Sequence, residues 1–185
     1  MRKMTILCDA DDTIQELTKH WISELNRKYN YNVKKEDIKA WDITKAYPTL
    51  SAEKVLEPLY RNEFWKRTTP IAGSACFLNK LQQDGHRLLI VTASNPETFK
   101  AKTEKLIELF PFLKKEQIIR EENKQSVYGD ILIDDGVHNL LGGSYRKFLF
   151  SQPCNMNFNE KEYDITRVYS WKKIYREYAG LQFEI

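Results

Sequence analysis

The chain of 185 residues is 42% hydrophobic and 12% aromatic, enough to bury one sizeable core and a small addition but not two full domains. Its 29 basic and 26 acidic residues leave a formal charge of +3, with no run of five like charges, so charge gives no footing for a nucleic-acid polymer. Cys8, Cys76 and Cys154 lie far apart without a C-x-x-C pairing, which argues against a disulfide framework or a zinc site and for a reducing compartment.

In chain order, "MTILC" (4–8) reads as a buried strand. Its apolar run ends at Asp9 after about five residues, too short for a secretory signal or a membrane span, and a cytoplasmic location is expected. Ile14, Leu17, Trp21, Leu25 and Tyr29 then recur at helical spacing. From 15 to 69 there are helical signals and the aromatics Trp41, Tyr47, Tyr60, Phe64 and Trp65, but no convincing strand. Ala75, Leu78 and Leu81 predict a helix stopped by Gly85, and "RLLIVT" (87–92) a second strand. Asn95-Pro96-Glu97 reads as a cap, a first-turn proline and an acidic first turn, opening a helix with Phe99, Leu106 and Ile107 that ends before Pro111. "DILID" (130–134) and "KFLF" (147–150) are further strands, and a last helix from Ser170 packs Trp171, Ile174 and Tyr178. No internal repeat is present.

Strands alternating with helices predict an α/β fold, a three-layer Rossmann-like parallel sheet. Residues 1–14 and 70–185 would form the core domain, and 15–69 a small helical cap inserted after the first strand. An insertion leaving the C-terminal end of a strand stands where such sheets bind ligands, and would roof that site.

The stretch "ILCDADDTI" (6–14) sets Asp9, Asp11 and Asp12 behind the first strand, where like charges and desolvation both oppose ionisation. The second strand ends in Thr92 and the third in Asp134-Asp135. If these strands are parallel, Asp9, Asp11, Thr92, Asp134 and Asp135 emerge on one edge. Four carboxylates there would repel by several kcal/mol at intermediate dielectric, roughly as Coulomb's law gives for short separations. A hard divalent cation resolves this, and all-oxygen ligation points to Mg2+ rather than zinc. Lys124, ten residues before Asp134, adds an ammonium. Cation, ammonium and hydroxyl together describe a receptor for a phosphoryl group.

The D-x-D-x-T string at Asp9 to Thr13, the strand ending in Thr92, Lys124 and "LIDD" (132–135) resemble the four ordered motifs of the haloacid dehalogenase superfamily. "NKQSVYGDILIDD", the Trp41-Asp42 pair in the insertion and "QPCN" after the last predicted strand resemble its 5'(3')-deoxyribonucleotidase branch. The resemblance implies a Mg2+-dependent phosphatase with Asp9 as nucleophile and Asp11 as general acid and base. It implies Thr92 and Lys124 as phosphate-binding residues, and Leu17, Trp41 and Asp42 as substrate-binding residues. Asp9, Asp11 (through its carbonyl), Asp134 and Asp135 would make the metal site, with Asp135 favoured as direct ligand and Asp134 as an outer or water-bridged one. The implied substrate is a (deoxy)ribonucleoside monophosphate, and a homodimer is among the partners left open.

Two departures stand out: the family's usual glycine is replaced by Asp12 and its usual serine by Ala93, with Ser94 one place later. Alternatives are a sugar-phosphate phosphatase of the same superfamily, a non-catalytic nucleotide- or phosphate-binding module, and a phosphoacceptor signalling domain. Trp41 reads either as a base-stacking residue or as an anchor of the cap's own core, Leu17 either as a substrate contact or as part of the first helix's apolar stripe. Tyr47, Phe64 and Trp65 are expected to pack the cap, and His20, His86 and His138 show no ligand spacing.

Overall fold

The computed structural model describes residues 2–181; residue 1 and residues 182–185, the extremities of the segments assigned to the core, lie outside the described residues. Six parallel strands form one sheet: β1 (Thr5–Cys8), β2 (Arg87–Thr92), β3 (Ile118–Arg120), β4 (Ile131–Asp134), β5 (Arg146–Phe150) and β6 (Ile165–Val168). The spatial order is β3-β2-β1-β4-β5-β6. Ile6 sits opposite Leu88 on one side and Ile131 on the other, so β1 is central and the chain reverses its direction of travel across the sheet there. Ligands bind at such a reversal, beyond the carboxyl ends of the strands.

Side chains alternate across the sheet. Ile6, Cys8, Leu88, Ile90, Ile131 and Ile133 face one apolar cluster, filled by α4 (Ser74–Gln83), α5 (Phe99–Leu109) and α7 (Trp171–Leu181). Leu7, Leu89, Val91, Leu132 and Leu149 face the other, covered by the short α6 (Val137–Leu140) and connecting segments. Gly85 at φ +90° supplies the left-handed residue that ends α4, as its position in the sequence suggests.

Two expected helix starts shift. The first helix, α1 (Thr18–Tyr29), begins four residues after Ile14, whose buried side chain joins the sheet core from a turn. Asn95 caps a turn by accepting from the Glu97 amide at 2.8 Å, and α5 starts only at Phe99. Strands β3 and β6 go unannounced in the sequence, being three and four residues long at the two edges.

Between β1 and α4 the described residues contain no strand. α1, α2 (Ala52–Leu56), α3 (Asn62–Trp65) and three 3-10 turns enclose a second apolar cluster that includes Trp21, Leu25, Tyr47, Phe64 and Trp65. Its polar anchor is Glu24, buried and paired with Arg61. The segment joins the sheet through two adjacent crossings: the Glu16 amide donates to the Thr69 carbonyl (2.8 Å) and the Ile71 amide to the Ile14 carbonyl (2.8 Å).

Candidate active site

Asp9 follows the last residue of β1, and Asp134 closes the neighbouring β4, so parallel pairing in register brings their carboxylates to the same edge. The Asp9 amide donates to the Ile133 carbonyl (2.9 Å) and continues the ladder one step past the strand. Lys124, 3% exposed, donates to both Asp9 and Asp134, the second at 2.6 Å. Asp134 is further saturated by the Gly136 amide (2.7 Å) and the Asn139 side chain (3.1 Å). Asp135 is buried too, yet among the described residues no donor reaches its carboxylate.

Oxygens of Asp9, Asp134 and Asp135 lie within 4.8 Å of one another. Three carboxylates against one ammonium leave an excess of two negative charges. Burial, with Asp134 and Asp11 adding to it, pushes the Asp9 carboxyl up to about 7 against the pull of Lys124. Burial also raises Asp135 well above the usual carboxylate range, helped by Asp9 and Asp134. Burial works against the Lys124 charge, but Asp9 and Asp134 outweigh it and hold the ammonium above the ordinary lysine range. An all-oxygen cluster short of two positive charges has the chemistry of a hard divalent cation site, and such a cation would reverse the upward push on Asp9 and Asp135.

The Asp11 carboxylate is gripped at both oxygens, by Gln15 Nε2 (2.9 Å) and by Lys102 Nζ (2.5 Å). Thr92 is fully buried, and its hydroxyl accepts from the same Lys102 (2.7 Å) while donating to the Ala93 carbonyl (3.2 Å).

The carboxylates and Lys124 floor a pocket of about 630 Å³. Asp9, Asp11, Asp12, Lys124, Asp134 and Asp135 line it from the sheet, while Leu17, Trp21, Ile38, Ile43 and Leu56 line it from the inserted segment. Trp41 is 59% exposed, so it does not anchor the inserted segment's apolar cluster; it lies at the pocket with its ring edge-on to His138, centroids 4.8 Å apart. Asp42 also lines the pocket, its carboxylate accepting from the Thr44 amide (3.0 Å) and hydroxyl (2.6 Å) to cap the next turn. The expected residues therefore gather around one cavity except Thr92, which stands behind its wall.

A family model described as "5' nucleotidase, deoxy (Pyrimidine), cytosolic type C protein" matches residues 2–179. The chain belongs to that nucleotidase family. A 5'(3')-deoxyribonucleotidase of Bacillus subtilis is 32% identical over 179 residues, 95% of this chain and 98% of the relative. One from Clostridium acetobutylicum is 30% identical over 173 residues, 92% of each. Among solved structures, a HAD family hydrolase of Deinococcus radiodurans with bound phosphate and sodium superposes with a TM-score of 0.56 at 14% identity, over 95% of each chain. A haloacid dehalogenase-like hydrolase of Xanthomonas campestris gives 0.58 at 12%, over 97% of this chain and 96% of that one. The sheet is thus the haloacid dehalogenase-type α/β fold, and the nucleotidase family makes the chain a phosphomonoester hydrolase.

Within this nucleotidase the glycine replaced by Asp12 is explained by backbone geometry. Asp12 has φ +51°, the left-handed region that glycine enters freely and aspartate tolerates. Its carboxylate turns to the start of α1, accepting from the Thr18 amide (3.0 Å) and hydroxyl (2.5 Å), and pairs with Lys35 (3.0 Å), which also holds Glu16 (2.9 Å). Burial raises Asp12, with Lys35 and Thr18 opposing. Ala93, not Ser94, lines the pocket, so no hydroxyl replaces the missing serine there; the buried Ser94 Oγ has no partner.

Sequence reasoning missed Lys102 and Arg167, and singled out Gln152 and Asn155 only as part of the "QPCN" string, without a role. Gln152 donates to the Asp12 carbonyl (2.5 Å) and Asn155 to the Asp135 carbonyl (2.9 Å), fixing two turns of the floor from the "QPCN" loop. Arg167 on β6 braces that loop through the Asn155 side chain (3.0 Å) and carbonyl (3.1 Å). For Lys102 a signal existed: it lies three residues after Phe99 and four before Leu106, on the apolar stripe of α5 where a surface lysine has no place.

Proposed function

We propose that this chain hydrolyses (deoxy)ribonucleoside monophosphates through a phosphoaspartyl intermediate on Asp9, with Mg2+ as cofactor and residues 15–69 as the cap. The observation that carries this reading is the pairing of a two-charge-deficient carboxylate floor with an apolar, aromatic roof over one cavity of about 630 Å³. A phosphoryl group fits the first and a nucleobase the second; a sugar phosphate would leave its hydroxyls against Leu17, Trp21, Ile38, Ile43 and Leu56.

The Asp9 carboxylate attacks phosphorus, an Oδ–P bond forming as the bond to the nucleoside oxygen breaks. Asp11 gives its proton to that departing oxygen. Water then attacks phosphorus, returning a proton to Asp11 and releasing Asp9 and inorganic phosphate. Lys124 holds the Asp9 oxygen in line and offsets charge on the phosphoryl oxygens. Asp9, Asp135 and the Asp11 carbonyl would hold the cation, with Asp134 fixed behind them by Lys124, Gly136 and Asn139. When bound, Mg2+ supplies Lewis-acid neutralisation of the phosphoryl oxygens. Asp12, tied to Lys35 and Thr18, is removed from the phosphate path.

Phosphate release from a panel of deoxynucleoside and ribonucleoside monophosphates and sugar phosphates, with and without Mg2+, tests the reading beside Asp9→Asn. Turnover of nucleotides that needs Mg2+ and falls by a factor on the order of 10³ or more in Asp9→Asn, with an unchanged melting temperature, is expected. Activity on sugar phosphates alone, or undiminished turnover in the variant, would overturn it.

A further inference from the structure

Lys102 is fully buried on α5, and every group its ammonium meets belongs to the site or its cover. It donates to Asp11 Oδ2 at 2.5 Å, to the Thr92 hydroxyl at 2.7 Å and to the Ala93 carbonyl at 3.3 Å, and lies 4.6 Å from the centroid of the Trp65 ring. Ordering a lysine chain inside a protein costs rotamer entropy and desolvation, so a fully buried one needs a compensating set of acceptors. Three oxygens and an aromatic face supply that set. The Asp11 side chain keeps 22% exposure on the pocket wall while Lys102 keeps none, so substrate can reach Asp11 but not the lysine.

We propose that Lys102 is a positioning residue for the leaving-group side of the reaction: with Gln15 on the other oxygen, it fixes the plane of the Asp11 carboxylate towards the departing oxygen and the later water. The inference rests on the phosphoaspartyl reading above and adds a residue outside its four motifs. Two donors from different elements, α5 and the crossing at Gln15, leave the carboxylate one orientation. A short misplacement of an acid-base group is enough to cost roughly 10²-fold. The Asp9 side of the site has its own brace, Lys124, and does not depend on Lys102.

The test exploits leaving groups. An alkoxide such as the 5'-oxygen of thymidine needs a proton as it departs, whereas p-nitrophenolate does not. The kcat/KM value reports the steps through that first departure, so it isolates the transfer to Asp9. In Lys102→Met, kcat/KM for thymidine 5'-monophosphate is expected to fall about 30- to 100-fold. For p-nitrophenyl phosphate it should fall less than about threefold, while kcat for both drops as the phosphoenzyme waits for an activated water. Lys102→Gln, cheaper to bury and too short to reach Asp11, carries the same expectation should the methionine variant fail to fold, and Lys102→Arg should recover nucleotide activity in part. Equal losses in kcat/KM on both esters, or no loss on either, would overturn the proposal. If the wild type cleaves glycerol phosphate but no nucleotide, the nucleotide reading fails, and the same contrast against p-nitrophenyl phosphate still decides the role of Lys102.

Discussion

On the floor of the pocket Asp9, Asp11 and Asp134 each meet an ammonium group and Asp135 alone meets none among the described residues, whereas the roof presents Leu17, Trp21, Ile38, Ile43 and Leu56. The floor is braced by charged hydrogen bonds between residues distant in the chain, with Lys124 joining two strand ends. In the roof, Asp42 caps a turn and Glu24 pairs with Arg61, both within the segment, while Lys35 reaches down to Asp12 at the seam. The difference teaches a division of labour. On the proposed reading, directional bonds hold the reacting atoms, and non-directional apolar surface accommodates the part of the substrate that does not react.

The largest break in this contrast should come from Asp135→Asn. Removing the floor's unpartnered charge is expected to abolish the rise in melting temperature on adding Mg2+ and to lower turnover at least about 100-fold, read by thermal melts and phosphate release. A Mg2+-dependent shift surviving intact would show the cation sits elsewhere. On the roof, Trp41→Ala should raise KM for nucleotides about 3- to 10-fold, the worth of one aromatic contact, and leave KM for p-nitrophenyl phosphate unchanged. A fall in kcat with KM unmoved would instead tie Trp41 to the chemistry.

The smallest effect is expected at the seam between the two. Asp12→Asn keeps the left-handed backbone and the bond to Thr18 but loses the charge facing Lys35. Kinetics should change less than about threefold, with roughly 1 kcal/mol lost in denaturant unfolding. A marked drop in KM would mean that the Asp12 charge had been repelling the phosphate after all.

The floor was legible in the sequence because each of its strands is an apolar run that stops on acid or threonine, and parallel strands bring their ends to one edge. Edge strands escaped notice for the opposite reason. "IIR" and "ITRV" are too short for a pattern, and in the second a buried Arg167, gripping the 151–158 loop, interrupts the apolar run. Lys102 and Asn155 left only faint marks, a place on the apolar stripe of α5 and a place in "QPCN", and their roles stayed hidden because a lysine and an asparagine are surface residues until a fold surrounds them. Asp12 could be seen as a departure, but its pairing could not, because that depends on a backbone angle and on Lys35, 23 residues away.

Arg167 ties the far rim of the sheet to the carboxylate floor. It sits on the outermost strand, yet its guanidinium steadies Asn155, which in turn steadies the peptide of Asp135. On the proposed reading, a lesion at this margin would loosen the peptide of Asp135 and weaken cation binding from a distance, and so could pass for a lesion at the floor aspartates themselves.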